Sequence, residues 1–283
     1  MLVDTKPTTF EELIRISGLS HGTDVWVNNT QDLINNGTVK LSEAICTRDD
    51  IMTYLIIKGL PSKDAFEIME IVRSKGKQIT GEQEILMKKH KVPAWYIESC
   101  KKIKYMFPRA HAVAYVTMAF RVAWFKVHYG VAYYAAFFSI RADDFDSELM
   151  IYGKEKVKSK MKQIDMEGSN ASVKDKAVYT IMELVLEMYE RGIKFLPIDI
   201  YKSDSTKFLI EDDGIRPPLN SIPGLGTVAA ESIKNAVKKE NGKFMSIDDM
   251  QIKTKIGKSV VELLGKFGCL EGMSKSNQIS LFN

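Results

Sequence analysis

With 283 residues, 45% of them apolar and 27% charged, the chain can bury a sizeable core and has room for roughly two domains. Its three cysteines, Cys46, Cys100 and Cys269, are odd in number and far apart, which argues against a disulfide framework or a zinc site and fits a reducing cytoplasm. The net charge of +4 is mild, no signal-peptide pattern opens the chain, and its most apolar stretch, Ala112 to Phe138, meets Arg121, Lys126 and His128 before reaching membrane-spanning length, so no membrane partner is expected.

Helix signals run along most of the chain. Thr8 and Thr9 ahead of Glu11 and Glu12 read as a capping box, with Gly18 closing a short first helix. Thr47 caps a helix over 48–58, and Ser62 one over 63–74. Pro93 opens a helix to about Met106, and Pro108 one to about Tyr129; the apolar stretch from Ala112 to Phe138 reads as a buried helix. Ser172 caps 173–191, which Gly192 ends. Beyond it, Phe195–Tyr201 and Lys207–Ile210 are short β-prone runs between polar turns, and a domain boundary is placed near there. Helical patterns return after Thr227, after Ser246 and after the turn at Lys255–Lys258. The expected fold is therefore mainly α, with a small α+β region late in the chain.

Charge is distributed unevenly. Residues 88–126 hold Lys88, Lys89, Lys91, Lys101, Lys102, Lys104, Arg109, Arg121 and Lys126 against a single acid, Glu98. Aromatic residues are interleaved among these cations, a pattern that suits nucleotides or single strands. The competing reading makes the aromatics core and the lysines a solvated face, and it is preferred for Trp124 and Phe125. At the Pro108 end a helix start presents free amides and a positive dipole, and Arg109 sits there against the dipole, so an anion such as a triphosphate would relieve it. His111 and Tyr115 fall one turn apart on one face, able to reach a phosphate or sugar and a base, although a satisfied core pair fits equally well. Arg48 repeats the anomaly, with Asp49 and Asp50 balancing it in part. Ser17–Thr23, which includes Ser20 and His21, is either a polar pocket lining or an ordinary loop.

The segment Ile222-Pro-Gly-Leu-Gly226 places two glycines around one apolar residue directly before a helix. Such a turn lets backbone N–H groups reach a phosphate without reading sequence; an ordinary turn between helices is the alternative. A second glycine turn at Lys255-Ile-Gly-Lys258 favours the phosphate reading, because two helix–turn–helix units would present two such turns together. Asp143, Asp144 and Asp146 are the best cluster for holding Mg²⁺, yet an acidic cap or loop is the simpler account.

Lys101-Lys-Ile-Lys-Tyr-Met-Phe-Pro-Arg-Ala-His-Ala-Val-Ala-Tyr115 resembles the fingers of the bacterial DNA polymerase III alpha subunit, in particular the PolC type. Ser17–Trp26, Cys46–Met52, Arg141–Asp146 and Asn220–Gly226 continue the resemblance in the right order across essentially the whole chain. It implies a helical fingers domain over 1–214, a duplex-binding region with helix-hairpin-helix units over 215–272, and a flexible tail over 273–283. The implied nucleotide-binding residues are Ser20, His21, Arg48, Arg109, His111 and Tyr115. The implied DNA-binding set is Gly224, Leu225, Gly226 and Thr227, aided by Lys234 and Lys238. Gln278, Leu281 and Phe282 match the family's sliding-clamp peptide, from which Asn283 departs by following the phenylalanine.

The resemblance further implies primer-template duplex, incoming dNTP, sliding clamp and the remainder of the polymerase as partners, with Mg²⁺ as the parent's cofactor. The family's catalytic aspartates belong to a palm domain, and no palm sequence precedes Met1, so the chain alone is expected to be inactive. A non-enzymatic adaptor that binds DNA and the clamp is the alternative. A purely helical scaffold is a weaker third reading.

Overall fold

The computed structural model describes residues 1–74, 76–211, 214–239 and 243–277, and all of their side chains but that of Asp143. The described residues form fifteen α-helices and one two-stranded sheet, a mainly α fold. They divide into two compact units between Val122 and Ala123. The clamp-type residues Gln278, Leu281 and Phe282 lie outside the described residues.

The first unit contains α1 (Leu2–Thr5), α2 (Phe10–His21), α3 (Gln31–Asn35), α4 (Arg48–Ile57), α5 (Ser62–Val72), α6 (Gly81–Lys89), α7 (Ala94–Lys102) and the start of α8 (Arg109–His128). Two capping boxes fix where helices begin. Thr9 Oγ1 accepts from Glu12 N while Glu12 reaches back to Thr9 N, and Thr80 and Gln83 repeat the exchange at α6. The core gathers Leu19, Ile45, Ile51, Leu55, Ile68, Met87, Tyr96 and Ile97. In α5 the buried residues Ala65, Ile68, Met69 and Val72 follow helical spacing, so one stripe faces the core.

Four local expectations change here. Helix α2 does not stop at Gly18 but runs to His21. Gly18 is buried, and a Cβ there would meet the Cys46 carbonyl oxygen at 2.5 Å; the glycine serves close packing rather than a turn. Consequently Ser17–His21 is helix, not loop. The helix after Pro93 ends at Lys102 instead of Met106, because Thr23 N donates to Tyr105 O at 2.9 Å and draws the chain into a bridge. Phe107 also precedes a proline, which disfavours helical backbone. Ser62 is the first residue of α5 instead of its cap, and Pro61 takes the N-cap position without a side-chain cap hydrogen bond.

The second unit continues with the end of α8, α9 (Gly130–Ile140), α10 (Ser147–Met150), α11 (Lys154–Glu167), α12 (Val173–Glu190), β1 (Leu209–Glu211), β2 (Gly214–Arg216), α13 (Thr227–Lys239), α14 (Ile247–Thr254) and α15 (Lys258–Lys266). One core joins Tyr134 and Phe138 of α9 to Ile181, Met182 and Val185 of α12, with Phe145, Phe195 and Phe208 stacked edge-on or tilted around Phe138. A second core holds Leu219, Ile222, Leu225, Ile233, Met250 and Leu264.

Strands β1 and β2 are antiparallel, pairing Leu209 with Arg216 and Glu211 with Gly214. Among the described residues the β-prone run at Phe195–Tyr201 contributes a single bridge, Phe195 to Ile215. Pro197 lacks an N–H for a ladder, and the Asp199 carboxylate accepts from Tyr201 N and Lys202 N, turning the chain away.

The buried helix expected across Ala112–Phe138 is two helices with opposite fates. In α9, Tyr134, Ala135 and Phe138 are buried, whereas Ala112 alone is buried in α8. Trp124 and Phe125 are 47% and 54% exposed, so they are not core. Apolar residues stand on all sides of α8, and one stripe alone cannot satisfy them.

Candidate nucleotide and nucleic-acid sites

The first candidate site lies where the extended segment before Pro108 turns into α8. Phe107 is its hub: its ring centre is 4.8 Å from that of His21, 5.9 Å from His111 and 6.1 Å from Tyr115. His21 comes from the last turn of α2, and His111 and Tyr115 from the first two turns of α8. His21 and Tyr115 lie 6.4 Å apart, and Tyr115 is 62% exposed. Arg48 joins through its backbone, whose N–H donates to Phe107 O at 3.2 Å, while its half-buried side chain lies near Glu70. Ser20 is exposed, and its hydroxyl donates to Ser17 O at 3.0 Å.

Arg109 is not bare, as the sequence suggested. Its amide, the first of α8, donates to Asp49 Oδ2 at 2.7 Å, so a side chain of α4 caps this helix. Its guanidinium meets Glu11 Oε1 at 2.6 Å and Asp50 Oδ1 at 3.2 Å. Partial burial disfavours its charged form, but the Glu11 and Asp50 carboxylates outweigh that and raise its pKa. The protein thus supplies its own anions at this helix start. Asp49 and Glu11 were missed as partners because only tertiary contact brings them there.

Arg109 also borders a cavity of about 850 Å³ within the first unit, shared with Arg15, Asp50, Tyr54, Trp95 and Tyr96. Tyr54 and Tyr96 stack there at 4.2 Å. Cys46 is close by but inert: burial, reinforced by Asp50, pushes its thiol up to about 12.

The second candidate site is the pair of glycine turns in the second unit. Buried Ile222 and Leu225 anchor the first, closed by Leu225 N to Ile222 O at 3.0 Å. Gly224 adopts φ +89°, a left-handed value, while Gly226 has no heavy atom within 4 Å of an added Cβ. Its N–H groups lead into α13, whose first amides have no partner in the helix. Below the turn, Ser147 Oγ donates to Ser221 Oγ at 2.6 Å, fixing its base on α10. In the second turn Lys255 is left-handed at φ 55°, Ile256 is buried and Gly257 caps α15.

The structure puts Thr227 at the first position of α13 and Lys238 exposed in its last turn. Lys234 is directed elsewhere, its Nζ donating to Ser203 O at 3.1 Å.

Asp144 pairs with Arg141 at 3.0 Å, Asp146 accepts from Leu149 N to cap α10, and no group of three candidate ligands gathers among the described residues. No helix among them is long and apolar enough to cross a membrane.

Residues 1–92 match the bacterial DNA polymerase III alpha subunit finger domain, and residues 192–279 match the helix-hairpin-helix motif. Over 282 residues the chain is 56% identical to the PolC-type DNA polymerase III of Caldanaerobacter subterraneus subsp. tengcongensis, covering 100% of this chain and 20% of that protein. Identity is 56% to the Clostridium perfringens protein of the same name and 55% to that of Bacillus subtilis, again over all of this chain and 19% of each relative. The chain belongs to the PolC-type DNA polymerase III family and spans about a fifth of the length of the relatives it matches.

Proposed function

We propose that the chain supplies the fingers, duplex-binding and clamp-binding parts of a replicative DNA-directed DNA polymerase. Residues 1–214 act as fingers, 215–272 grip the duplex and 273–283 carry the clamp peptide. The observation that carries this reading is the gathering of His21, His111 and Tyr115 around Phe107 beside the Arg109 helix start. Exposed Tyr115 offers a stacking face, the two histidines offer donors to phosphate or sugar, and Arg109 offers a bidentate cation. Ser20 and Arg48 border the same place. A triphosphate would exchange with Glu11 on the guanidinium.

In the second unit Gly224, Leu225, Gly226 and Thr227 hold duplex phosphates through backbone N–H groups, with Lys238 along the same helix and Lys234 supporting the loop at Ser203. Contacts of this kind ignore sequence. Gln278, Leu281 and Phe282 dock on the sliding clamp, the apolar pair entering a pocket and the glutamine bonding its rim. Mg²⁺ belongs to the remainder of the polymerase, where it would activate the incoming dNTP; the carboxylates described here are committed to Arg141 and to a helix cap. The chain works in the cytoplasm and does not polymerise alone.

Fluorescence anisotropy with a labelled dNTP tests the fingers reading. The unaltered chain should bind and R109A should bind at least tenfold more weakly, as loss of charge-assisted bonds worth about 1.5–3 kcal/mol requires. Equal affinities would favour the alternative, a non-enzymatic DNA- and clamp-binding adaptor that needs no nucleotide pocket. Robust primer extension by the chain alone would contradict the claim that its catalytic centre lies elsewhere.

A further inference from the structure

Two clefts border the first glycine turn, and each contains one lysine from outside the helices α13–α15. Lys174, in the first turn of α12, lines one with Asn220 and the Ile222–Gly226 turn. Lys207, just before β1, lines the other with Asn220 and Thr227. Both lysines are exposed, and neither has a carboxylate within 4.0 Å among the described residues.

Their surroundings explain why they are available. Asp144 and Asp146 share the first cleft with Lys174, but Arg141 holds one and the α10 cap the other. Asp204, next to Lys207, accepts from Thr206 N and Lys207 N, which fixes its carboxylate to backbone. Lys174 also stands at the positive end of a helix, where a cation opposes the dipole and an anion would relieve it. The lysine within α13 that the motif itself offers nearby, Lys234, is turned to Ser203.

We propose that Lys174 and Lys207 flank the first hairpin as a pair of phosphate clamps, widening its footprint on duplex DNA to the phosphates on either side of the one held by the turn. The proposal rests on the duplex-binding reading above. It assigns to α12 and to the loop before β1 a contact with the DNA backbone beyond those of the two glycine turns.

The test is anisotropy of the 283-residue chain with a labelled mixed-sequence duplex over a range of salt. Four variants are compared: G226D, which puts a carboxylate on the turn where there is open space; K174A/K207A; K174R/K207R; and K63A/K77A, which removes equal charge from the other unit. Each lost phosphate contact lowers the slope of log K against log salt by about 0.9, so K174A/K207A should lower it by about 1.8. K174R/K207R should keep the slope, and K63A/K77A should leave it near that of the unaltered chain. If G226D weakens binding while K174A/K207A does nothing, or no more than K63A/K77A, the clamp proposal is wrong and the hairpin reading stands. No duplex binding at low salt, or none lost in G226D, overturns that reading and the clamps with it.

Discussion

Glu11 and Arg109, 98 positions apart in sequence, meet at 2.6 Å and hold the start of α8 against α2. Both side chains are partly exposed, at 46% and 38%, so their attraction is screened and worth about 0.2–1 kcal/mol. An anion that binds Arg109 would compete with this carboxylate for the guanidinium. E11Q is therefore expected to tighten labelled-dNTP binding by about two- to fivefold, while leaving the fold intact. Anisotropy titration checks the direction; weaker binding in E11Q would mean that Glu11 assists the ligand instead of competing with it.

Gly18 is expected to tolerate no side chain. A Cβ at that position meets the Cys46 carbonyl at 2.5 Å and the Thr47 methyl at 2.7 Å, and the first of these is backbone. G18A should lower unfolding stability by about 1–3 kcal/mol, the usual range for overpacking. Urea denaturation measures it, with an unchanged midpoint as the contrary result.

The α8 surface gives an optical prediction. Trp124 is 47% exposed and Trp26 is 8% exposed. In a W26F/W95F background the remaining Trp124 should emit at long wavelength and be quenched readily by acrylamide. Short-wavelength, protected emission would place Trp124 in a core.

Glu84 ties α6 to α7 through Lys101 at 2.9 Å and also pairs within α6 with Lys88 at 2.7 Å. Those two ammonium groups hold its carboxyl down to about 2, against an ordinary 4.5. A carboxyl lowered by folding favours the folded state above its ordinary pKa, and that advantage disappears as pH falls toward about 2. Near neutral pH the native chain should therefore be more stable than E84Q, and the difference should close on acidification. A gap that stays constant or widens in acid would contradict the assignment.

Much of this architecture is legible from local rules. Thr9, Thr47 and Ser172 cap helices where their patterns say, and Pro108 opens α8, because a helix start depends on the few residues around it. Gly18 misleads because one glycine signals either a turn or a close approach, and only the packing of Cys46 against it decides. The apolar run that includes Trp124 and Phe125 misleads for a related reason: composition reports hydrophobicity, but not whether anything covers it. His111 and Tyr115 are readable as a helical pair, while His21, Glu11 and Asp49 reach the same place from distant segments. The Ile222–Gly226 turn is legible from its glycines, but Lys174 and Lys207 come beside it only through the fold.

The central claim is that the Phe107 cluster and Arg109 form the fingers' nucleotide site. Arginine modification of the 283-residue chain by phenylglyoxal, read residue by residue by mass spectrometry with and without saturating dNTP, addresses it most directly. The account predicts that dNTP slows modification of Arg109 while Arg141 reacts as before. Equal rates at Arg109 with and without nucleotide would contradict it.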